Sequence, residues 1–340
     1  MRVIRLSLWI DPSFDQLLKA QPGVDLDVLD IEEPETANWP KLANADIYHI
    51  SAAKDEVPAT WLVTAELIQR CPRLLCVSTS GAGYDTVDVQ ACTDAGILVV
   101  NQAGGNANSV AEHAIGLMIA VSRRFGESAH MLKQGLSCTR EDLMGHELNG
   151  KTLGLVGLGQ IGARTAQLGR AFGMRVLAYD PYLDQAVIQE RGAQGATLDE
   201  LLRASDIVSL HCPRTQETRN MFDARAYGRM KPGAIFVSTA RGGIHNEKDL
   251  YDALASGHLG GAGLDVWDVE PPAADHPLLG LPNVVPTYHT AGVSHEGRRN
   301  VATIAARQIL AICAGEPAPR IINPQVLPRF TERYNKAKAA

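Results

Sequence analysis

The feature that most constrains this chain is Gly157-Leu158-Gly159-Gln160-Ile161-Gly162, set between a strand-like run at 152–156 and a helix-like run at 163–172. A glycine pattern alone is weak evidence. Here it lies at a strand-to-helix turn, and Asp180 ends the next strand-like run, at 175–179. In that setting the three glycines do different things. Gly157 permits the tight turn, Gly159 lets a pyrophosphate approach the backbone, and Gly162 allows helix and strand to pack closely. Gln160 and Ile161 complete the turn as cofactor-site residues, and the helix that follows presents free N–H groups and a positive dipole end to phosphate. Asp180 can accept hydrogen bonds from both ribose hydroxyls and would repel a 2′-phosphate. Pro181-Tyr182-Leu183 offers no cation to hold such a phosphate. The pattern therefore predicts a dinucleotide site that prefers NAD to NADP.

Around this turn, apolar runs of strand length alternate with helical stretches. Residues 3–10, 47–50, 74–77 and 97–100 read as strands in the first part, with helices over 14–19 and 59–70. Near residue 150 the alternation restarts, with further strands over 207–210, 234–237 and 284–285. This rhythm predicts an α/β fold of parallel sheets. Between the two parts, residues 110–121 are apolar on nearly every face, which marks a buried helix; Ser109 and Glu112 have capping-box spacing at its start. A second long helix is expected over 294–314, closed by Gly315 and Pro317. The tail beyond Arg320, with Pro324 and Pro328, is expected to pack loosely.

A chain of 340 residues has room for two domains. Its net charge of −6 gives no bulk attraction to nucleic acid or anionic membranes, so neither is expected as a partner. No apolar run approaches membrane-spanning length, and the first ten residues are too charged and short for a secretory leader. Six cysteines show neither a CxxC pair nor zinc-finger spacing. They read as reduced thiols of a cytoplasmic protein, with no metal site expected.

Three later segments carry reactive groups. Arg241 follows the strand-like run 234–237; Glu270 lies in the loop after a strand near 263; His289 lies just beyond 284–285. Ligands of open α/β sheets bind at the carboxyl ends of strands. Oxidation of a secondary alcohol needs a base near neutral pH, which histidine supplies, while a neighbouring carboxylate fixes its tautomer and favours imidazolium. A guanidinium can grip a carboxylate in a fork. Singly, each has an ordinary reading as an ion pair, a solvated acid or a loop histidine. Jointly, beyond a dinucleotide turn, they predict a catalytic set.

With these pieces in view the sequence resembles the D-isomer-specific 2-hydroxyacid dehydrogenases. The likeness rests on Ser80-Gly81-Ala82-Gly83-Tyr84-Asp85, Asn101 with Val110-Ala111-Glu112-His113, the glycine turn, Leu210-His211-Cys212-Pro213, Thr239-Ala240-Arg241-Gly242-Gly243, the segment 263–271 and His289-Thr290-Ala291-Gly292. The resemblance implies two Rossmann-like domains with the active site in the interdomain cleft. Residues 1–101 plus 293–340 would form a discontinuous substrate domain, and 102–292 the NAD-binding domain. It implies NAD-dependent interconversion of a small D-2-hydroxy acid and its 2-oxo acid by hydride transfer, with Arg241 as substrate anchor, His289 as acid/base and Glu270 as its partner. It further implies that Asp265, Thr239 and Ala240 position the nicotinamide, that His211, Cys212 and Pro213 line the adenosine side, and that Gly292 belongs to the cofactor site. Backbone N–H groups of Gly81, Ala82 and Gly83 would receive the substrate carboxylate, Lys54 would approach its far end, and a homodimer is expected. The basic residue expected near Ile50 for a phosphoglycerate substrate is absent, and His245-Asn246-Glu247 stands where members commonly carry Val-Asp-Glu. Two other readings stay open: an NAD-sensing, corepressor-like binding protein, and a phosphite-type dehydrogenase.

Overall fold

The structure is a computed structural model and describes residues 1–339. Twelve strands run along the chain: β1 (Arg2–Leu6), β2 (Asp25–Leu29), β3 (Ile47–Ser51), β4 (Cys76–Ser80), β5 (Leu98–Val100), β6 (Thr152–Val156), β7 (Arg175–Tyr179), β8 (Gln194–Gly195), β9 (Ile207–Leu210), β10 (Ile235–Ser238), β11 (Gly261–Leu264) and β12 (Val284–Pro286). They form two sheets, and every strand pair within each is parallel. The chain divides into two compact units: Met1–Asn106 with the chain from His295 on, and Ala107–Ser294.

The first unit holds the sheet β2-β1-β3-β4-β5. Successive strand residues face opposite sides. Ile4, Tyr48, Val77 and Val99 thus build one core layer, while Val3, Ile47, Cys76, Leu98 and Val100 build the other against helix His295–Ala314. Coverage of both faces is what nearly continuous apolar strands require.

The second unit holds β12-β11-β10-β9-β6-β7-β8. Strand order reverses at β6, whose neighbours are β7 and β9, so the carboxyl ends of β6 and β9 flank a topological switch point. Helix Ala107–Ser122 lies against β11, where glycines make the approach possible. A Cβ on Gly263 would stand 2.8 Å from Leu117, and one on Gly261 2.5 Å from Val121.

Three local expectations are corrected. The helix expected to start at Ser109 begins at Ala107, so no capping box forms there; the Ser109 hydroxyl pairs with Ser294 Oγ at 2.8 Å instead. The single helix expected over 59–70 is broken, because Val63 bridges to Val87 and Thr64 then caps a separate helix, Ala65–Arg70. The tail is not loose. Leu327–Ala339 is a helix whose Arg333 guanidinium donates to the carbonyls of Ala95, Pro72 and Leu74, while Tyr334 Oη donates to Cys313 O. Pro328 falls in its first turn, where a missing N–H costs nothing.

Candidate active site

The glycine turn occupies the switch point. Gly157 has φ +91°, a conformation that L side chains rarely adopt. A Cβ there would stand 2.7 Å from Cys212 N, and a Cβ on Gly162 2.2 Å from Gly157 O. His211 and Cys212 therefore border the turn from the end of β9, followed by the exposed Pro213. A Cβ on Gly159 would meet nothing within 4 Å, so open space lies where phosphate oxygens would approach. Gly159 precedes helix Gln160–Ala171, with no side chain capping its first N–H groups. Asp180 accepts from Leu158 N at 2.9 Å and from Tyr182 N at 3.1 Å, which fixes its carboxylate beside the turn. Thr239 is buried, and its hydroxyl has no partner. Next to it Ala240 is also buried. A dinucleotide fits this set: a cradle without side chains, a helix N-terminus, a fixed carboxylate and an unpaired hydroxyl.

Beyond β11 and β12 the reactive groups converge. His289 Nδ1 and Glu270 Oε2 are 2.7 Å apart, and Glu270 Oε1 accepts from Trp267 N at 3.0 Å. The hydrogen bond to Glu270 raises the His289 pKa above its ordinary value, against the opposing pull of burial. Burial is the largest single influence on Glu270 and disfavours its ionised form, yet the hydrogen bond and charge of His289, the Trp267 N–H and the charge of Arg241 together hold the carboxyl below its usual range. The charge of Arg241 lowers both values, so it lies within electrostatic reach of the pair. The loop of Arg241 is tied to that of Glu270: Gly243 N donates to Asp268 Oδ1 at 2.7 Å, and a Cβ on Gly242 would fall 1.9 Å from Trp267 O. Glycine is required at 242 because two backbones touch there.

His289 has φ +49°, the left-handed region, which costs a non-glycine residue on the order of 1 kcal/mol. What sustains it is Asp265, fully buried, whose carboxylate accepts from Thr290 N at 2.8 Å, Ala291 N at 2.9 Å and Thr287 Oγ1 at 2.6 Å. His113 Nε2 lies 3.0 Å from Thr287 Oγ1 and 3.5 Å from Asp265 Oδ1. Asp265, read from the sequence as a cofactor residue, thus braces the histidine loop. Thr287 and His113 were missed as parts of this brace. His113 carried a signal in its motif, whereas Thr287 carried none. Gly292 follows in the turn closed by Val293 N to Thr290 O.

In the first unit, residues 81–83 form a loop after β4 in which Gly81 is buried, Ala82 exposed and Gly83 half-buried, with Gly81 at φ +114°. The Gly81 N–H, expected to receive substrate, is already given to Gln102 Oε1 at 3.2 Å. Lys54 is exposed at the start of the turn Lys54–Glu56. Ile50, near which a basic residue was expected, is buried in the core. Among the described residues no group of side chains could hold a metal ion, and no helix is long and apolar enough to cross a membrane.

Comparison with known proteins agrees with this arrangement. Residues 115–291 match the family model described as D-isomer specific 2-hydroxyacid dehydrogenase, NAD binding domain. The chain is 41% identical over 267 residues to D-3-phosphoglycerate dehydrogenase of Archaeoglobus fulgidus, covering 78% of this chain and 50% of that one. It is 39% identical over 268 residues to glyoxylate reductase of Korarchaeum cryptofilum, covering 78% and 81%. The chain thus spans about half the length of the phosphoglycerate dehydrogenases it matches. Among solved structures it resembles a glyoxylate reductase from Paecilomyes thermophila (TM-score 0.83, 28% identity, 95% of this chain and 99% of that one). It also resembles a D-lactate dehydrogenase from Aquifex aeolicus complexed with NAD and lactic acid (TM-score 0.80, 28% identity, 94% and 98%). This chain belongs to the D-isomer-specific 2-hydroxyacid dehydrogenase family, and its cofactor is NAD.

Proposed function

We propose that the protein interconverts a small D-2-hydroxy acid and its 2-oxo acid, with His289 as acid/base, Glu270 as its partner and Arg241 as substrate anchor. The observation that carries this reading is the 2.7 Å bond between His289 Nδ1 and Glu270 Oε2. It leaves Nε2 as the nitrogen that exchanges a proton with substrate. In reduction, imidazolium gives its Nε2 proton to the C2 oxygen, and Glu270 stabilises the charge that must be present beforehand. In oxidation the neutral ring takes the hydroxyl proton back. Arg241 holds the substrate carboxylate in a fork and draws electron density from the C2 oxygen. When bound, NAD supplies the hydride donor or acceptor at C2. Asp265, Thr239 and Ala240 serve the nicotinamide side, His211, Cys212 and Pro213 the adenosine side. We assign 102–292 as the cofactor domain and the two chain ends as the substrate domain. The lack of a basic residue near Ile50 favours a substrate without phosphate. Glyoxylate, hydroxypyruvate and pyruvate are the leading candidates.

The test follows NADH oxidation with glyoxylate, hydroxypyruvate, pyruvate, phenylpyruvate, 2-oxoisocaproate and phosphohydroxypyruvate. Turnover with at least one, reduced about 10²- to 10⁴-fold in His289→Ala while NADH still binds, supports the reading. No turnover with any of them overturns it. Phosphite-dependent NADH formation would then identify a phosphite-type enzyme, and its absence a binding protein.

A further inference from the structure

In the loop after β4, three carbonyl oxygens in a row are tied back to buried groups. Gly81 O accepts from Gln102 N at 2.7 Å, Ala82 O from Asn101 Nδ2 at 2.8 Å, and Gly83 O from Thr79 Oγ1 at 2.8 Å. Gln102 and Thr79 are fully buried and Asn101 nearly so. These peptides are trans, so each C=O and the N–H of the same peptide point in opposite directions. Tying the carbonyls inward therefore turns the N–H groups of Ala82, Gly83 and Tyr84 outward. None of the three donates a hydrogen bond among the described residues. Consecutive outward N–H groups make a concave site for an anion.

One side chain organises the start of this turn. Gln102 Oε1 accepts from Gly81 N at 3.2 Å, and its Nε2 donates to Ser78 Oγ at 3.2 Å. Ser78 Oγ in turn lies 3.1 Å from Nδ1 of buried His49, whose ring stacks on Phe14 at 4.5 Å. The chain of contacts runs from the helical layer, through β3 and β4, to the loop.

We propose that Gln102, backed by Ser78 and His49, is a positioning residue that presets the N–H groups of Ala82, Gly83 and Tyr84 to receive the substrate carboxylate. This rests on the functional reading above and changes its donor set: Gly81 N serves the brace, and Tyr84 N joins the site. The side chain of Gln102 touches no substrate; it acts through Gly81.

The test compares wild type with Gln102→Met and Ser78→Ala. With NADH bound, oxamate, a carboxylate shaped like a 2-oxo acid, is titrated calorimetrically, and kcat, KM, NADH affinity and thermal stability are measured alongside. For Gln102→Met, oxamate affinity is expected to fall and KM to rise about tenfold, as one lost buried hydrogen bond predicts. The fall in kcat should be far smaller, and NADH affinity should hold. Ser78→Ala should weaken oxamate in the same direction by a smaller factor. Equal oxamate affinity in wild type and either folded variant overturns the proposal, as does a lower melting temperature without any loss of affinity. Failure of wild type to bind oxamate also overturns it. If wild type binds oxamate but turns over no 2-oxo acid, the functional reading falls while the titration still decides the role of Gln102.

Discussion

Glu270 Oε2 stands 2.7 Å from His289 Nδ1, and the pair is held from two sides: Trp267 N binds the other oxygen of Glu270, and Asp265 binds the backbone on from His289. The contact raises the histidine pKa and lowers that of the carboxyl, so the imidazolium–carboxylate state persists to higher pH than an isolated histidine would allow. A reductase needs that state, because the proton must be present when the oxo acid arrives.

Glu270→Gln removes the charge but keeps an acceptor for Nδ1–H. The Nδ1–H bond then goes to a neutral oxygen in place of a carboxylate and the Coulombic attraction of Glu270 is lost, so the raised His289 pKa falls. In reduction, kcat/KM declines as pH rises through that pKa, so the decline should move to lower pH in the variant. At pH 7 reduction should suffer more than oxidation. Profiles in both directions check this; an unmoved reductive limb would break the proposed pair.

Asp180 is fixed by Leu158 N and Tyr182 N and offers a carboxylate beside the turn. Asp180→Ala should weaken NADH binding by about tenfold, the scale of a hydrogen bond to a charged group. NADPH binding should improve as the repulsion disappears. Fluorescence titrations with both cofactors read the ratio. An unchanged ratio would show that another group discriminates.

Gly159 and Gly162 separate binding from folding. At Gly159 an added methyl meets open space, so Gly159→Ala should melt close to wild type while losing at least about tenfold in NADH affinity. At Gly162 the methyl falls 2.2 Å from Gly157 O, so Gly162→Ala should be destabilised by about 2 kcal/mol or more. Thermal melts and NADH titrations of both proteins make the comparison. A destabilised Gly159→Ala with normal binding would reverse the assignment.

Arg333 ties the terminal helix to the carbonyls of Pro72, Leu74 and Ala95. Arg333→Ala leaves these acceptors without their charged donor and should cost on the order of 2 kcal/mol in urea unfolding. A change below about 0.5 kcal/mol would mean the helix is held by Phe330 and Tyr334 alone.

Legibility followed the range of the interactions involved. The strands buried on both faces were visible as apolar runs, β4 and β10 among them, although the ends of β4 shifted by two and three residues and those of β10 by one. β2 was not visible: it is an edge strand that reads Asp-Leu-Asp-Val-Leu, and its acidic residues fit a position with one partner only. The terminal helix was obscured by two prolines and by a half-buried arginine whose partners lie more than 230 residues away.

The sequence by itself determined what a few adjacent residues can decide: a glycine turn between strand and helix, an acid after the next strand, and hence a site for NAD. These are short-range matters of backbone freedom, helix dipole and charge, and the spacing carries them. It also marked Arg241, Glu270 and His289 as chemically suited groups. Only the tertiary structure decided that His289 meets Glu270 across 19 positions and that Asp265 takes up the loop beyond it. The same holds for Gln102, which reaches back 21 positions to claim the Gly81 N–H. A buried polar group takes whichever partner the fold brings within hydrogen-bond reach, and that choice is made by packing across sheets rather than by order along the chain.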